Sequence, residues 1–331
     1  MKNIVYISSS DSQQIEVWEL NSDSSLSLIQ ILKLDGEPQP IIIANTRKRL
    51  YIGIRPKFCI YSYKINVNGT LEEIGRSNIP NSINHLEINK TETYLFSSSY
   101  HFNCINVSPI NSSGIAQSPI QTITGIKGCH ASLMHYNNRY IFVSSLQSDR
   151  IYLYNFTHEG VLLESQKKFI SVGNKFGPRH LIFQKNTDRL FHINELNGSI
   201  SIWKVNKSCN EVIFLKNINI ISNKLKKTAW SSDLHMSSCE NFLYASDRNN
   251  NSITILNNHV NIDNIKVIEY VQTEVQPRSF NIEKNGQHLI VAGEKSNSIS
   301  IYKLNNITGK LKFKNRYPTG NRPIWISIHR M

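Results

Sequence analysis

A seven-bladed β-propeller, with four antiparallel strands in each blade, is the fold that three features of this 331-residue sequence predict. A short apolar string recurs seven times, a second string follows each of the first at a constant distance, and the segments between them are polar turns. The first set is VYIS, LYIG, LFSS, IFVS, LFHI, LYAS and LIVA, beginning at Val5, Leu50, Leu95, Ile141, Leu190, Leu243 and Leu289, which are 45 to 53 residues apart. The second is IEVW, IYSY, INVS, IYLY, ISIW, ITIL and ISIY, beginning at Ile15, Ile60, Ile105, Ile151, Ile200, Ile253 and Ile299, every one 10 residues after its partner. An offset held seven times defines one repeating unit of strand, about six turn residues, strand.

Alternation of period two within the strings, as in Ser199-Ile200-Ser201-Ile202-Trp203, marks them as β-strands, and the Asn, Ser, Asp and Gly between them mark hairpins. An apolar segment precedes most of the first strings: PIIIA, CHASLM, PRHLIF, SDLHM, PRSFNI. A more polar one follows the second: LSLIQIL, LEEIG, LLESQ, LKFKN. Each repeat therefore holds four strands, the unit of a propeller blade, and seven such units use the whole chain as one domain over residues 1–331. The segment PIWISI at Pro323 to Ile328 supplies the innermost strand that the first unit lacks. Both termini then share one blade and close the ring, which leaves no free sheet edge.

Composition narrows the function. With 40% hydrophobic and 18% charged residues and no uninterrupted apolar run near the roughly 18 residues of a membrane span, a soluble globular protein is expected. The opening MKNIVYISSSDSQQIEVWEL lacks the long apolar core of a secretory signal. Five cysteines, odd in number and without C-x-x-C, suit reduced thiols in a cytoplasm. The net charge of +13 invites a nucleic-acid reading. Its basic residues are scattered, however, with runs no longer than the one at Asn223 to Lys227, and an Asn, Lys and Ile bias of this kind arises from AT-rich coding. No nucleic acid, membrane or second subunit is expected as a partner, and local positive charge is better used on a small anionic substrate.

Blade topology decides which residues can meet. With strands a to d counted from the axis outward, the start of a and the end of b lie at one end of the blade. Counting from the first residue of each first string, position minus 11 holds His130, Arg179 and Arg278, with Asn84 and Ser232 in two other blades. Position minus 10 holds His85, His180 and Asp233, and position plus 5 holds Arg55, Tyr100, Glu195, Arg248 and Glu294, followed by Lys295. In a chain so poor in charge, this concentration at one mouth points to a site. The competing role is a salt-bridged rim, worth about 0–1 kcal/mol per exposed pair.

His101, His158, His259 and His329 fall in turns or at the terminus and are expected to be solvated, while His192 and His288 belong to strand packing. The carboxylates Asp233, Asp247, Glu195 and Glu294 each have a basic neighbour in register, so ion pairing is expected and a metal site is not. No Walker loop, G-x-G-x-x-G or G-x-S-x-G string occurs, which argues against P-loop phosphate binding and a serine-elbow hydrolase. No cofactor is expected. Cys129 adjoins His130, but neighbours on a strand point opposite ways, so it reads as a packed cysteine.

The strings YISSSDSQQIEVWEL, GEPQP, YIGIRP, GCHAS, GPRHLIF, NELNGSISIW, YASDR, TEVQPR and AGEKSNSISIYKL resemble the cycloisomerase-type 6-phosphogluconolactonases of bacteria, from Val5 to the C-terminus. The resemblance implies hydrolysis of 6-phospho-D-glucono-1,5-lactone to 6-phosphogluconate in the pentose phosphate pathway. It also implies that the His, Arg and Glu proposed as catalytic in related fungal propellers correspond to His130, Arg179 and Glu195. Ile83, where a proline is usual in the family, and Tyr136-Asn137-Asn138, in place of a Pro-Asp turn, are departures that bear on stability. Hydrolysis needs a base for water, a donor for the oxyanion and a proton for the ring oxygen, and a phosphate needs Arg or Lys. His130 or Glu195 is the candidate base. Arg179 and Arg278 complete the expected catalytic set, with Arg55, His180, Asp233, Arg248, Glu294 and Lys295 as substrate contacts. A propeller acting on another lactone and a non-enzymatic scaffold are the rivals; the scaffold calls for apolar residues at the mouth, where charged ones stand.

Overall fold

Seven four-stranded antiparallel sheets make up the chain, as a computed structural model describes it over residues 2–184, 187–222 and 228–331. The basic stretch Asn223 to Lys227 lies outside the described residues. Blade 1 orders its strands as Pro323–Arg330, Asn3–Ser9, Gln14–Leu20 and Leu26–Lys33, so the two ends of the chain meet in one sheet. Strand a of the following blades is Glu37–Ala44, His85–Ile88, Cys129–Met134, Pro178–Gln184, Ser231–Met236 and Pro277–Ile282. Strand b is Arg49–Arg55, Tyr94–Ser99, Tyr140–Ser145, Arg189–Asn194, Phe242–Asp247 and His288–Gly293. Helix among the described residues is confined to the 3₁₀ turns Leu146–Ser148 and Ile262–Asn264.

The hairpins between strands b and c are tighter than the strings imply. Ser9 pairs with Gln14, so Ser10 to Gln13 form the turn, four residues where about six are expected. The pairing runs one residue past each apolar string because the polar Ser and Gln satisfy the last ladder bonds before the chain reverses. His329 also departs from expectation. Strand a of blade 1 continues beyond PIWISI to Arg330, pairs His329 with Ile4 and buries its ring to 3% exposure. His101, His158 and His259 are exposed, as expected.

The sheets group into two compact units. One, of residues 1–38, 65–71 and 218–331, carries blades 1, 6 and 7; the other, of residues 39–64 and 72–217, carries blades 2 to 5. In the first unit, Val5, Ile7 and Trp18 interlock with Ile290, Ile299, Ile301 and Ile326, and Tyr244 and Ile253 pack against Phe280, Leu289 and Val291. In the second, the same layering joins Tyr51 and Ile60 to Leu86 and Leu95, Phe96 and Ile105 to Ile141 and Val143, and Phe142 and Ile151 to Leu190 and Trp203. Cys129 is fully buried in one of these layers, and burial pushes its thiol up to about 12, which fits the packed role. A sheet with a neighbour on each face hides both faces of its strands. Ile141 and Val143 pack on one side of their strand and Phe142 on the other, so all three are buried, and alternation survives as a burial pattern in fourth strands such as Val267–Gln272.

A repeated tyrosine ties strand b to the turn between c and d of the next repeat. Tyr51 Oη donates to Gly114 O at 2.9 Å and Tyr244 Oη to Gly309 O at 2.8 Å; burial pushes the Tyr51 phenol up to about 12. Gly309 sits at φ +73°, where a Cβ would also run into the Phe242 ring, so this turn requires glycine. Tyr244→Phe leaves a buried carbonyl without its donor and should lower stability by about 1–3 kcal/mol in urea unfolding; an unchanged midpoint would show the bond to be dispensable.

Glu87 gives the fold a pH dependence. On the short strand a of blade 3, it is half-buried, and burial pushes its carboxyl from an ordinary 4.5 up to about 8, against lowering by the Ile88 N–H it accepts and by Lys90. The unfolded chain therefore loses this proton first. Stability is fully present below about pH 4.5 and declines as pH rises through about 8. Glu87→Gln should flatten that decline in melting temperatures taken across the interval, and an unaltered pH profile would count against it.

Candidate active site

One backbone hydrogen bond, repeated in five blades, positions the candidate residues. The N–H that ends strand b donates to the carbonyl two or three residues ahead of the strand-a side chains: Ser10 to Arg322 at 3.0 Å, Leu146 to Gly128 at 3.0 Å, Glu195 to Gly177 at 2.8 Å, Arg248 to Trp230 at 3.0 Å and Glu294 to Gln276 at 3.0 Å. Four of the acceptors, Gly128, Gly177, Gln276 and Arg322, lie in the left-handed region at φ +54° to +66°. This kink turns the chain into strand a and brings the residue two positions later beside the end of b. Asn84 and Ser232, which share the minus 11 position with His130, Arg179 and Arg278, serve the backbone: Asn84 Nδ2 donates to His130 O at 2.5 Å and Ser232 Oγ to Arg278 O at 2.6 Å.

In the unit of blades 2 to 5, Arg179 and Glu195 meet as the shared end of strands a and b requires. Arg179 Nε lies 3.0 Å from Glu195 Oε2, with the arginine side chain 2% and the glutamate 15% exposed. Burial of this depth separates the pair from an exposed rim bridge, because breaking a buried pair leaves an uncompensated charge. Arg179 Nη1 lies 3.1 Å from His180 Nε2. A guanidinium carries only donors, so this contact uses the Nε2 lone pair and leaves the His180 proton on Nδ1. The His180 ring is 5.3 Å from that of His130 and 5.4 Å from that of His85, and Tyr100 lies 6.2 Å from His130. His85 thus belongs to the cluster although only its offset marked it. The loop before Arg179 is held by Asp149, whose two carboxylate oxygens accept the N–H groups of Lys175 and Gly177, each at 2.7 Å. Arg55 is half-buried and donates from Nη2 to Ile83 O at 2.9 Å.

In the unit of blades 1, 6 and 7, Glu294 accepts Arg322 Nε at 3.2 Å and has Arg278 Nη1 at 3.9 Å, while Arg322 Nη1 reaches Asp11 at 3.2 Å. Arg322 was not among the candidates. Its mark in the sequence is the string Arg322-Pro323, equivalent to Gly177-Pro178 and Gln276-Pro277. Two expected substrate contacts are bound into the framework. Arg248 is 3% exposed, lies 3.9 Å over the Trp230 ring and donates to the carbonyls of Trp230 and Ser231. Asp233 is buried against His235 Nε2 at 3.3 Å and accepts the N–H groups of Leu234 and Phe280. Asp247 corrects the ion-pair expectation: its carboxylate takes the N–H groups of Trp230 and Asn250, the Ser231 hydroxyl and the Asn250 amide. Donors of this kind hold a buried carboxylate without a cation. Lys295 is exposed. Among the described residues no three His, Cys, Asp or Glu side chains are placed to hold a metal ion.

The model of the family described as a lactonase, 7-bladed β-propeller, matches residues 4–328. A 6-phosphogluconolactonase of Buchnera aphidicola subsp. Baizongia pistaciae is 53% identical over 99% of this chain and 99% of its own length. One of Yersinia enterocolitica is 36% identical over 99% and 98%. The solved structure of a periplasmic gluconolactonase from Pseudomonas aeruginosa aligns with a TM-score of 0.92 over 100% of this chain and 99% of that one, at 17% identity, and so supports the fold alone. Seven four-stranded sheets and a match that spans nearly the whole chain lead to one assignment: the chain belongs to the lactonase family of seven-bladed β-propellers.

Proposed function

We propose that the chain hydrolyses 6-phospho-D-glucono-1,5-lactone to 6-phosphogluconate as a carboxylic ester hydrolase of the pentose phosphate pathway. The observation that carries the chemistry is the Arg179–Glu195 pair beside the imidazoles of His180 and His130. Water attacks the lactone carbonyl carbon, the bond from that carbon to the ring oxygen breaks, one proton leaves the water and another reaches the ring oxygen. Glu195, the more open partner of the pair, is the base for water. Arg179 holds that carboxylate and supplies positive charge where the oxyanion develops. His130 carries the proton to the departing ring oxygen. The framework bonds of Arg55, Arg248 and Asp233 make these three supporting residues.

The reaction runs in the cytoplasm on a single chain without cofactor or nucleic acid. All five cysteines are free thiols, and no helix among the described residues is long and apolar enough to cross a membrane. The test is acid release from the phosphorylated lactone, and from glucono-1,5-lactone, measured over the spontaneous background. Acceleration that is greater with the phosphate, and competitively inhibited by 6-phosphogluconate, is the expected result. A rate equal to background for both lactones rejects the reading.

A further inference from the structure

A cleft of about 520 Å³ opens beside the kink of blade 1, lined by Asp11, Glu294, Lys295, Asn297, Asn321 and Arg322 together with Gln276. We propose that this cleft binds a phosphate monoester dianion, with Arg322 as the principal donor and Lys295 as the second charge. That its natural ligand is a phosphorylated sugar acid rests on the lactonase reading above.

Arg248 is spent on backbone carbonyls and the Trp230 ring, and Arg316 forks onto Glu274 at 2.9 and 3.1 Å. Arg322 is differently placed. Its side chain is 45% exposed, with Nε and Nη1 steadied by Glu294 and Asp11. Its Nη2 donates to no protein atom among the described residues, and neither do the side-chain amide nitrogens of Asn297 and Asn321. The cleft therefore offers guanidinium, ammonium and amide donors, whereas its two carboxylates already face Arg322 and Arg278. A held guanidinium with Nη2 left for a ligand suits a charge-assisted hydrogen bond to a phosphate oxygen, and loses less conformational freedom on binding than a mobile one. The backbone adds to this. Arg322 occupies the left-handed region at φ +57°, an unusual place for a long side chain, and its N–H is fixed by Asn297 Oδ1 at 2.8 Å.

The test is calorimetric titration of the full chain with 6-phosphogluconate, gluconate and inorganic phosphate, on wild type, Lys295→Ala, Arg322→Gly and the double variant. Glycine is chosen at 322 because it accepts positive φ without strain. Wild type should bind 6-phosphogluconate at least about 10-fold more tightly than gluconate, the double variant should bind the two alike, and Lys295→Ala, which leaves the kink untouched, should lie between. Melting curves check that each variant is folded. Equal affinity of the double variant and wild type for 6-phosphogluconate, or no preference for the phosphate in wild type, overturns the proposal. The two readings fail separately. Arg322-dependent binding by a chain that accelerates neither lactone keeps the phosphate site and rejects the lactonase, while lactone turnover with Arg322-independent binding does the reverse.

Discussion

Glu195→Gln should lower turnover of the phosphorylated lactone by about 10²-fold or more, the usual effect of removing a general base. The carboxamide matches the carboxylate in shape and can keep its oxygen beside Arg179 Nε, now 3.0 Å from Oε2, so the fold around it should survive. Arg179→Ala should behave differently. Because the guanidinium is almost wholly buried between Glu195 and His180, its removal should depress both the rate and the melting temperature, with a stability loss of about 3–5 kcal/mol for a broken buried pair. The contrast between the variants is what identifies chemistry, since a structural pair would respond to both changes through stability alone. His130→Ala provides a third point: as the proposed proton donor it should lose rate without a matching loss of stability. Wild-type turnover in Glu195→Gln, at any melting temperature, would remove Glu195 from the reaction and leave the pair a structural bridge.

The sequence carried the blades more completely than it carried the site. The constant offset of 10 reflects antiparallel pairing of b with c, a local interaction written directly in the spacing of Leu190 and Ile200 or Leu289 and Ile299. The same register placed Arg179 beside Glu195, because both flank one kink. What spacing does not encode is how a polar group is shared. Arg248 sits at the same offset as Glu195, yet Trp230 ahead of its strand a offers a ring to lie on and a carbonyl to bond, and the arginine turns inward. Asp247 has basic neighbours in sequence but satisfies itself on N–H and hydroxyl donors. Arg322 is marked only by the proline that follows it, because the left-handed position it fills is held by Gly, Gln and Arg in different blades.

Ending the chain at Arg322 should abolish cooperative folding. Pro323–Arg330 pairs with Asn3–Ser9 along its whole length, from Asn3–Arg330 to Ser9–Pro323, and brings the buried Ile324 and Ile326. Ile326 packs in the same layer as Val5, Ile7, Ile290 and Ile299. Each buried isoleucine contributes about 1.5–3 kcal/mol, so two of them with a full ladder of hydrogen bonds rival the roughly 5–15 kcal/mol that separates a folded domain from its unfolded chain. The deletion would also expose Asn3–Ser9, buried from Ile4 onward, as an open edge ready to pair with other chains. Ile326→Ala in the intact chain calibrates the effect: it should lower stability by about 2–5 kcal/mol while keeping a single transition. Circular dichroism through a urea titration distinguishes the outcomes, and a truncated chain that unfolds at the wild-type midpoint would mean that the other three strands of blade 1 hold without the terminal one.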